Sequence, residues 1–226
     1  MENSTNFQVE HFTVKHPLRT RRNQTISAPF VYTKHVNEEI KHVYIVEMAT
    51  VCGLESIEIS ERNPFHTTTY ELGLLLDHIL KRHSKDDHVN ILLGVGGSCT
   101  NDAGIGCLQA MGCIKDITLK ESNGVKLLEG EFYGSDLVTV DTFSINRNAL
   151  PFQFKNFCID IACDVTNPFV GPNGAVHTFS KQKGAKTEEQ RYMLEEGMKH
   201  VASIFKRECS IDVSNEPGCG AAGGIR

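Results

Sequence analysis

The chain of 226 residues has no run of 18 or more apolar residues, so no stretch has the length to cross a bilayer as a helix. Its opening residues, MENSTNFQVE, lack the basic-then-apolar order of a secretory leader, and a cytoplasmic address is the expectation. An excess of basic charge is missing too. The formal net charge is −5, which leaves no electrostatic footprint for nucleic acid or an anionic membrane. The one basic cluster, Lys15, Arg19, Arg21 and Arg22, reads as a solvated loop. The eight cysteines contain no C-x-x-C pair, so zinc-ligand spacing is absent and they read as reduced, mostly buried thiols. No G-x-x-x-x-G-K-[ST] occurs, and Cys99 stands where a dinucleotide fingerprint needs glycine.

What is present is enough apolar residue, 40%, for a core, and a chain that fits one large domain or two small ones. Its focus is ILLGVGGSCTNDAGIGCLQAMG, residues 91–112. The apolar run to Val95 predicts a strand, Gly96-Gly97 breaks it, and Ala103 to Met111 predicts a short helix stopped by Gly112. Between them Ser98, Thr100, Asn101 and Asp102 crowd a strand-to-helix turn. Open α/β sheets bind ligands at the carboxyl ends of strands, and helix N-termini favour anions, so a phosphate-handling site is one reading. The other is an ordinary connection whose Asp and Asn cap the helix.

Residues 7–14, 27–33 and 42–48 predict three strands, an antiparallel meander joined by loops at Lys15–Thr25 and Lys34–Lys41. Glu47, closing the third, reads as a surface or loop-bonding acid. Thr68 with Glu71 has the spacing of a capping box, and Leu72, Leu75, Leu76, Ile79 and Leu80 form one helical stripe after it. Asn123-Gly124 predicts a hairpin turn between two short strands, with a loop at 129–136. Residues 157–163, FCIDIAC, predict a further strand that runs into Asp164, Thr166, Asn167 and Pro168, a second strand-end cluster of Asp, Thr and Asn. Thr187 with Gln190 caps a last helix to about Arg207, and the chain closes on GCGAAGGIR, a run suited to close backbone approach to a phosphate or a second domain.

In order and spacing, GVGGSCTNDAG, ACDVTNPFVGPNGA, the QKGA at 182–185 and GCGAAGG resemble the glycerate kinase family, over most of residues 44–226. The resemblance implies an α/β fold with a mixed β-sheet and packed helices, corresponding to the restriction-endonuclease-like lobe inserted in that two-lobed family. Little or none of the flavodoxin-like lobe is expected, because family members carry further segments on both sides. The chain is then a truncated, single glycerate-kinase-like domain over 1–226, with 1–41 as variable N-terminal strands and 42–226 as the family-like core. It departs from the family's pattern at Cys99, Ala103, Glu71, Leu72, Ser180 and Lys181.

The implied activity is ATP-dependent phosphorylation of D-glycerate with Mg²⁺. Such a transfer needs positioning, charge neutralisation and a group for the hydroxyl proton. Asp102 and Asp164 would divide the catalytic and Mg²⁺-binding roles. Gly96, Gly97, Ser98, Thr100, Asn101, Thr166, Asn167 and the cation Lys183 would hold substrate or phosphate. Two other classes remain open: a single-lobe remnant that binds glycerate or phosphate without catalysis, and a nuclease-like module, which the acidic balance disfavours. Neither nucleic acid nor membrane is an expected partner.

Overall fold

The computed structural model describes residues 6–36 and 40–225. The chain opens with strands β1 (Gln8–Lys15), β2 (Thr25–Val36) and β3 (Ile40–Glu47), followed by a short helix α1 (Ala49–Cys52). Helix α2 (Tyr70–Leu80), strand β4 (His88–Gly94), helix α3 (Ile105–Ala110) and strands β5 (Ile114–Glu121), β6 (Gly124–Leu127), β7 (Val140–Ile145) and β8 (Asn156–Ala162) come next. Helices α4 (Ala175–Phe179) and α5 (Glu188–Cys209) complete the chain.

The main sheet has the order β1-β2-β3-β4-β8. Its first three strands are the expected antiparallel meander, with Phe12 opposite Ala28 and Tyr32 opposite Tyr44. From β3 onward it is parallel through β4 to β8, which makes it a mixed α/β sheet. A crossover of helix is what parallel pairing demands, and α2 supplies it between β3 and β4. The α2 stripe lies as the periodicity predicts: Leu72, Leu75, Leu76, Ile79 and Leu80 are all buried, against Val89, Ile91 and Leu93 of β4 among others. A second apolar cluster joins Leu194, Met198 and Val201 of α5 to Phe143 and to Ile117 of a smaller sheet, ordered β6-β5-β7.

Several local expectations shift. Helix α3 starts at Ile105 rather than Ala103, because Ala103 (φ 56°) and Gly104 (φ 69°) hold the backbone in the left-handed region. Thr68 and Glu71 form no capping box. Thr69 is the N-cap, Thr68 Oγ1 accepts from the Tyr70 N–H at 3.0 Å, and the buried Glu71 carboxylate turns to Arg22. Arg22 is therefore no solvated loop charge: it is paired with both Glu71 and Glu131. Strands reach to Val36 and from Ile40, so residues 34–36 and 40–41 of the expected loop are strand, while 37–39 lie outside the described residues, as do 1–5 of the opening stretch. The stretch 129–136 leads into a 3-10 turn, Gly134–Val138. The hairpin at Asn123-Gly124 and the Thr187–Gln190 capping box form as expected. All eight cysteines are free thiols, five of them buried. No helix among the described residues is long and apolar enough to cross a membrane.

Candidate active site

Parallel register sets the site. Glu47 pairs with Gly94 and Gly94 with Ala162, so β3, β4 and β8 end level with one another. The two polar loops leave adjacent strands at the same edge, where ligands of such sheets collect. A cleft of about 270 Å³ opens between them, lined by Gly96, Gly97 and Ser98 from the first loop, Asp164 from the second, and Gln182 with Lys183 from the segment after α4. Ala221 and Ala222 of the C-terminal run close it. A larger hollow of about 500 Å³ lies elsewhere, against Leu108, Ile159, Ile161 and Phe205. Apart from Arg147 its lining is uncharged and mainly apolar, with no carboxylate, so it lacks the pairing of an acid with a cation that phosphoryl transfer uses.

Lys183 is the organising charge. It is buried, and its Nζ donates to Ser98 Oγ at 2.9 Å and to the Thr100 carbonyl at 2.6 Å. An ammonium has three donors, so these two bonds leave one. Burial pushes its pKa down to about 8, with the Cys99 and Asp102 side chains opposing the fall. The Ser98 hydroxyl accepts from Lys183 and keeps its own hydrogen to donate. Gly96 and Gly97 are exposed, and their backbone N–H groups have no hydrogen-bond partner among the described residues.

Asp102 sits differently. It is fully buried and does not line the cleft. One carboxylate oxygen accepts from both the N–H and the hydroxyl of Thr69, each at 2.8 Å, and the other accepts from Gly104 N–H at 3.2 Å. Burial raises its pKa, and those hydrogen bonds pull it back. Thr69 Oγ1 in turn accepts from Cys107 N–H at 2.8 Å, so Asp102 ties the entry of α2 to the start of α3. Thr100 and Asn101 are also buried. Asn101 Nδ2 donates to Met198 Sδ at 3.2 Å, while Thr100 Oγ1 and Asn101 Oδ1 have no hydrogen-bond partner among the described residues.

On the second loop Asp164 and Thr166 are exposed, and Asn167 is half-buried. Asn167 is a clip: its Nδ2 donates to the Asn173 carbonyl at 2.7 Å, and its own carbonyl accepts from Gly218 and Gly220 at 3.1 and 2.9 Å. The same C-terminal run reaches the first loop, where Ala103 N–H donates to the Gly223 carbonyl at 3.0 Å. A side chain at Gly223 (φ 81°) would strike the Thr100 carbonyl, its Cβ lying 2.3 Å away. The close approach read from the glycine run is thus to this chain's own two loops.

Of the ten residues singled out in sequence, Gly96, Gly97, Ser98, Asp164 and Lys183 line one cleft. Thr100, Asn101, Asp102 and Asn167 stand behind it as supports, and Thr166 lies on the exposed loop beyond Asp164. Gln182, Ala221 and Ala222 were not singled out, although Gln182 belongs to the QKGA motif and the alanines to the glycine run. Thr69 was missed because its bond to Asp102 spans 33 positions, beyond any local pattern.

A family model described as the glycerate kinase family matches residues 1–226. Glycerate 2-kinase of Escherichia coli (strain K12) is 38% identical over 180 residues, covering 80% of this chain and 44% of the relative. Glycerate kinase of Bacillus cereus (strain ATCC 10987 / NRS 248) is 36% identical over 223 residues, 98% of this chain and 52% of the relative. Among solved structures, glycerate kinase 2 from Salmonella typhimurium LT2 superposes with a TM-score of 0.77 at 30% identity, over 96% of this chain and 52% of that one. The chain spans about half the length of the curated relatives it matches.

Proposed function

Because the chain belongs to the glycerate kinase family, we propose that its strand-end cleft receives D-glycerate together with the phosphoryl-donating end of ATP, and that Asp164 acts there. The observation that carries the reading is the pairing, in one cleft, of an exposed carboxylate with a buried, doubly anchored ammonium.

The third donor of Lys183, the Ser98 hydroxyl and the N–H groups of Gly96 and Gly97 would hold an anionic group, the glycerate carboxylate or a phosphate. A fixed ammonium with preset donors needs no reorganisation as charge develops. Asp164, open to solvent, would orient the substrate hydroxyl and take its proton, or hold Mg²⁺. Magnesium binds oxygen ligands, keeps several waters and is commonly held by one or two carboxylates plus phosphates, which the single cleft-lining carboxylate fits. A bound magnesium nucleotide would supply the phosphoryl group and neutralise part of its charge. Asp102 is assigned a positioning role, keeping the first loop in shape through Thr69 and Gly104.

A coupled assay with ATP, Mg²⁺ and D-glycerate tests this directly, with phosphoglycerate as the expected product. A second reading, glycerate binding without transfer, rests on the donor set of Lys183, Ser98, Gly96 and Gly97, which can hold an anion without any base acting. Retained fold and glycerate binding with no product would select it.

A further inference from the structure

At the other end of the parallel strands, three segments bring metal-ligating side chains together. His42 lies near the start of β3, His83 follows the last turn of α2, and Asp87 precedes β4. One ligand atom from each lies within 4.8 Å of the others. We propose that His42, His83 and Asp87 form a binding site for one divalent transition-metal ion of the zinc, nickel or copper class.

The two histidines are held as metal ligands need to be. Tyr32 OH hydrogen-bonds His42 Nδ1 at 3.0 Å, and Tyr44 OH hydrogen-bonds His83 Nε2 at 2.7 Å. Each ring therefore has one nitrogen pinned by a tyrosine, leaving Nε2 of His42 and Nδ1 of His83 for a shared ion. Outer partners of this kind fix ring orientation and tautomer in metal sites. The ring centroids are 4.3 Å apart with planes at 51°, and His83 Nδ1 is 3.4 Å from Asp87 Oδ2. Asp87 is itself steadied by Ser84, whose N–H and hydroxyl donate to its carboxylate at 3.1 and 2.8 Å.

The charge around the cluster allows a cation. Arg82, the neighbour of His83, spends its guanidinium on Glu10, with bonds at 2.6 and 3.0 Å. Lys34, opposite His42 in the β2–β3 register, is the nearby cation that bears on His42, and it is exposed, so solvent screens it. Two imidazoles and one carboxylate favour zinc, nickel or copper over calcium or magnesium, which prefer oxygen. Three protein ligands leave the remaining positions to water. Such an ion would staple β3 to the connection between α2 and β4. His42 and Glu47 lie near opposite ends of β3, about 17 Å apart at strand rise, so the ion is remote from the cleft.

The test is a titration of the chelator-stripped chain with Co²⁺ and Zn²⁺, followed by calorimetry, visible spectroscopy and thermal melting. The expected result is one equivalent bound in the micromolar range or tighter, a cobalt spectrum without thiolate charge-transfer bands, and a raised Tm with zinc. His83→Gln should weaken binding by at least about tenfold. Asp87→Asn, which is isosteric at a half-buried turn position, should do the same with its fold intact by circular dichroism. Absence of stoichiometric binding, thiolate bands from the cysteines, or unchanged affinity in the folded Asp87→Asn variant would each overturn the site.

Discussion

Lys183 donates a hydrogen bond to Ser98 Oγ at 2.9 Å, joining two loops that lie 85 positions apart in the chain. That bond and its companion to the Thr100 carbonyl hold a cation beneath the floor of the first loop. The cleft's chemistry therefore depends on a contact between the chain's middle and its C-terminal third.

Lys183→Met keeps the length of the side chain and removes the charge. Losing a charge-assisted hydrogen bond to an anion is worth about 1.5–3 kcal/mol, so affinity for glycerate or inorganic phosphate should fall by about 10- to 100-fold by calorimetry. In the native chain the same affinity should weaken as pH rises through about 8, where the buried ammonium loses its proton, and the variant should lack that step.

Stability should follow the opposite sign at the same residue. The folded pKa of about 8 lies below the ordinary lysine value of 10.5, so between these limits the unfolded chain holds a proton that the folded chain does not. Stability contributed by this group therefore rises with pH across that window. Urea denaturation at its two ends should show the native chain gaining stability relative to Lys183→Met.

Glu71 should give a second pH signature. Burial pushes its pKa up to about 7 against the pull of Arg22, from the ordinary glutamate value of 4.5. The folded chain then holds the proton longer, so this contribution is complete below about 4.5 and is lost as pH rises through about 7. Denaturation of Glu71→Gln over that range should show a flatter profile than the native chain.

Asp102→Ala should act on the fold first. It strands the Thr69 N–H, the Thr69 hydroxyl and the Gly104 N–H in a buried site, at about 1–3 kcal/mol for each unsatisfied group. A lowered urea midpoint is the expected outcome. An unchanged midpoint with lost turnover would move Asp102 from positioning to catalysis.

Much of this architecture was legible from local pattern. The meander, the α2 stripe, the Asn123-Gly124 hairpin and the α5 capping box each rest on periodicity or on a cap within a few residues. Both loops announced themselves as polar clusters after apolar runs. Strand β7 was not legible, since its pairing with β5 is irregular between Lys115 and Leu119 and its burial lacks clean alternation. The start of α3 was misplaced because a left-handed alanine leaves no mark in composition. Asp102 and Asp164 look alike in sequence. One is enclosed by Thr69, 33 residues away, and the other faces the cleft, a difference that only long-range packing creates.

The central claim is that Asp164 serves the cleft chemistry, and its most direct test is the turnover of D-glycerate with ATP and Mg²⁺ by the native chain and by Asp164→Asn. The account predicts product from the native chain, a fall of at least about a hundredfold in the variant, the scale of a lost acid-base group, and an unchanged melting temperature because the side chain is exposed. Equal turnover in the two proteins would contradict it.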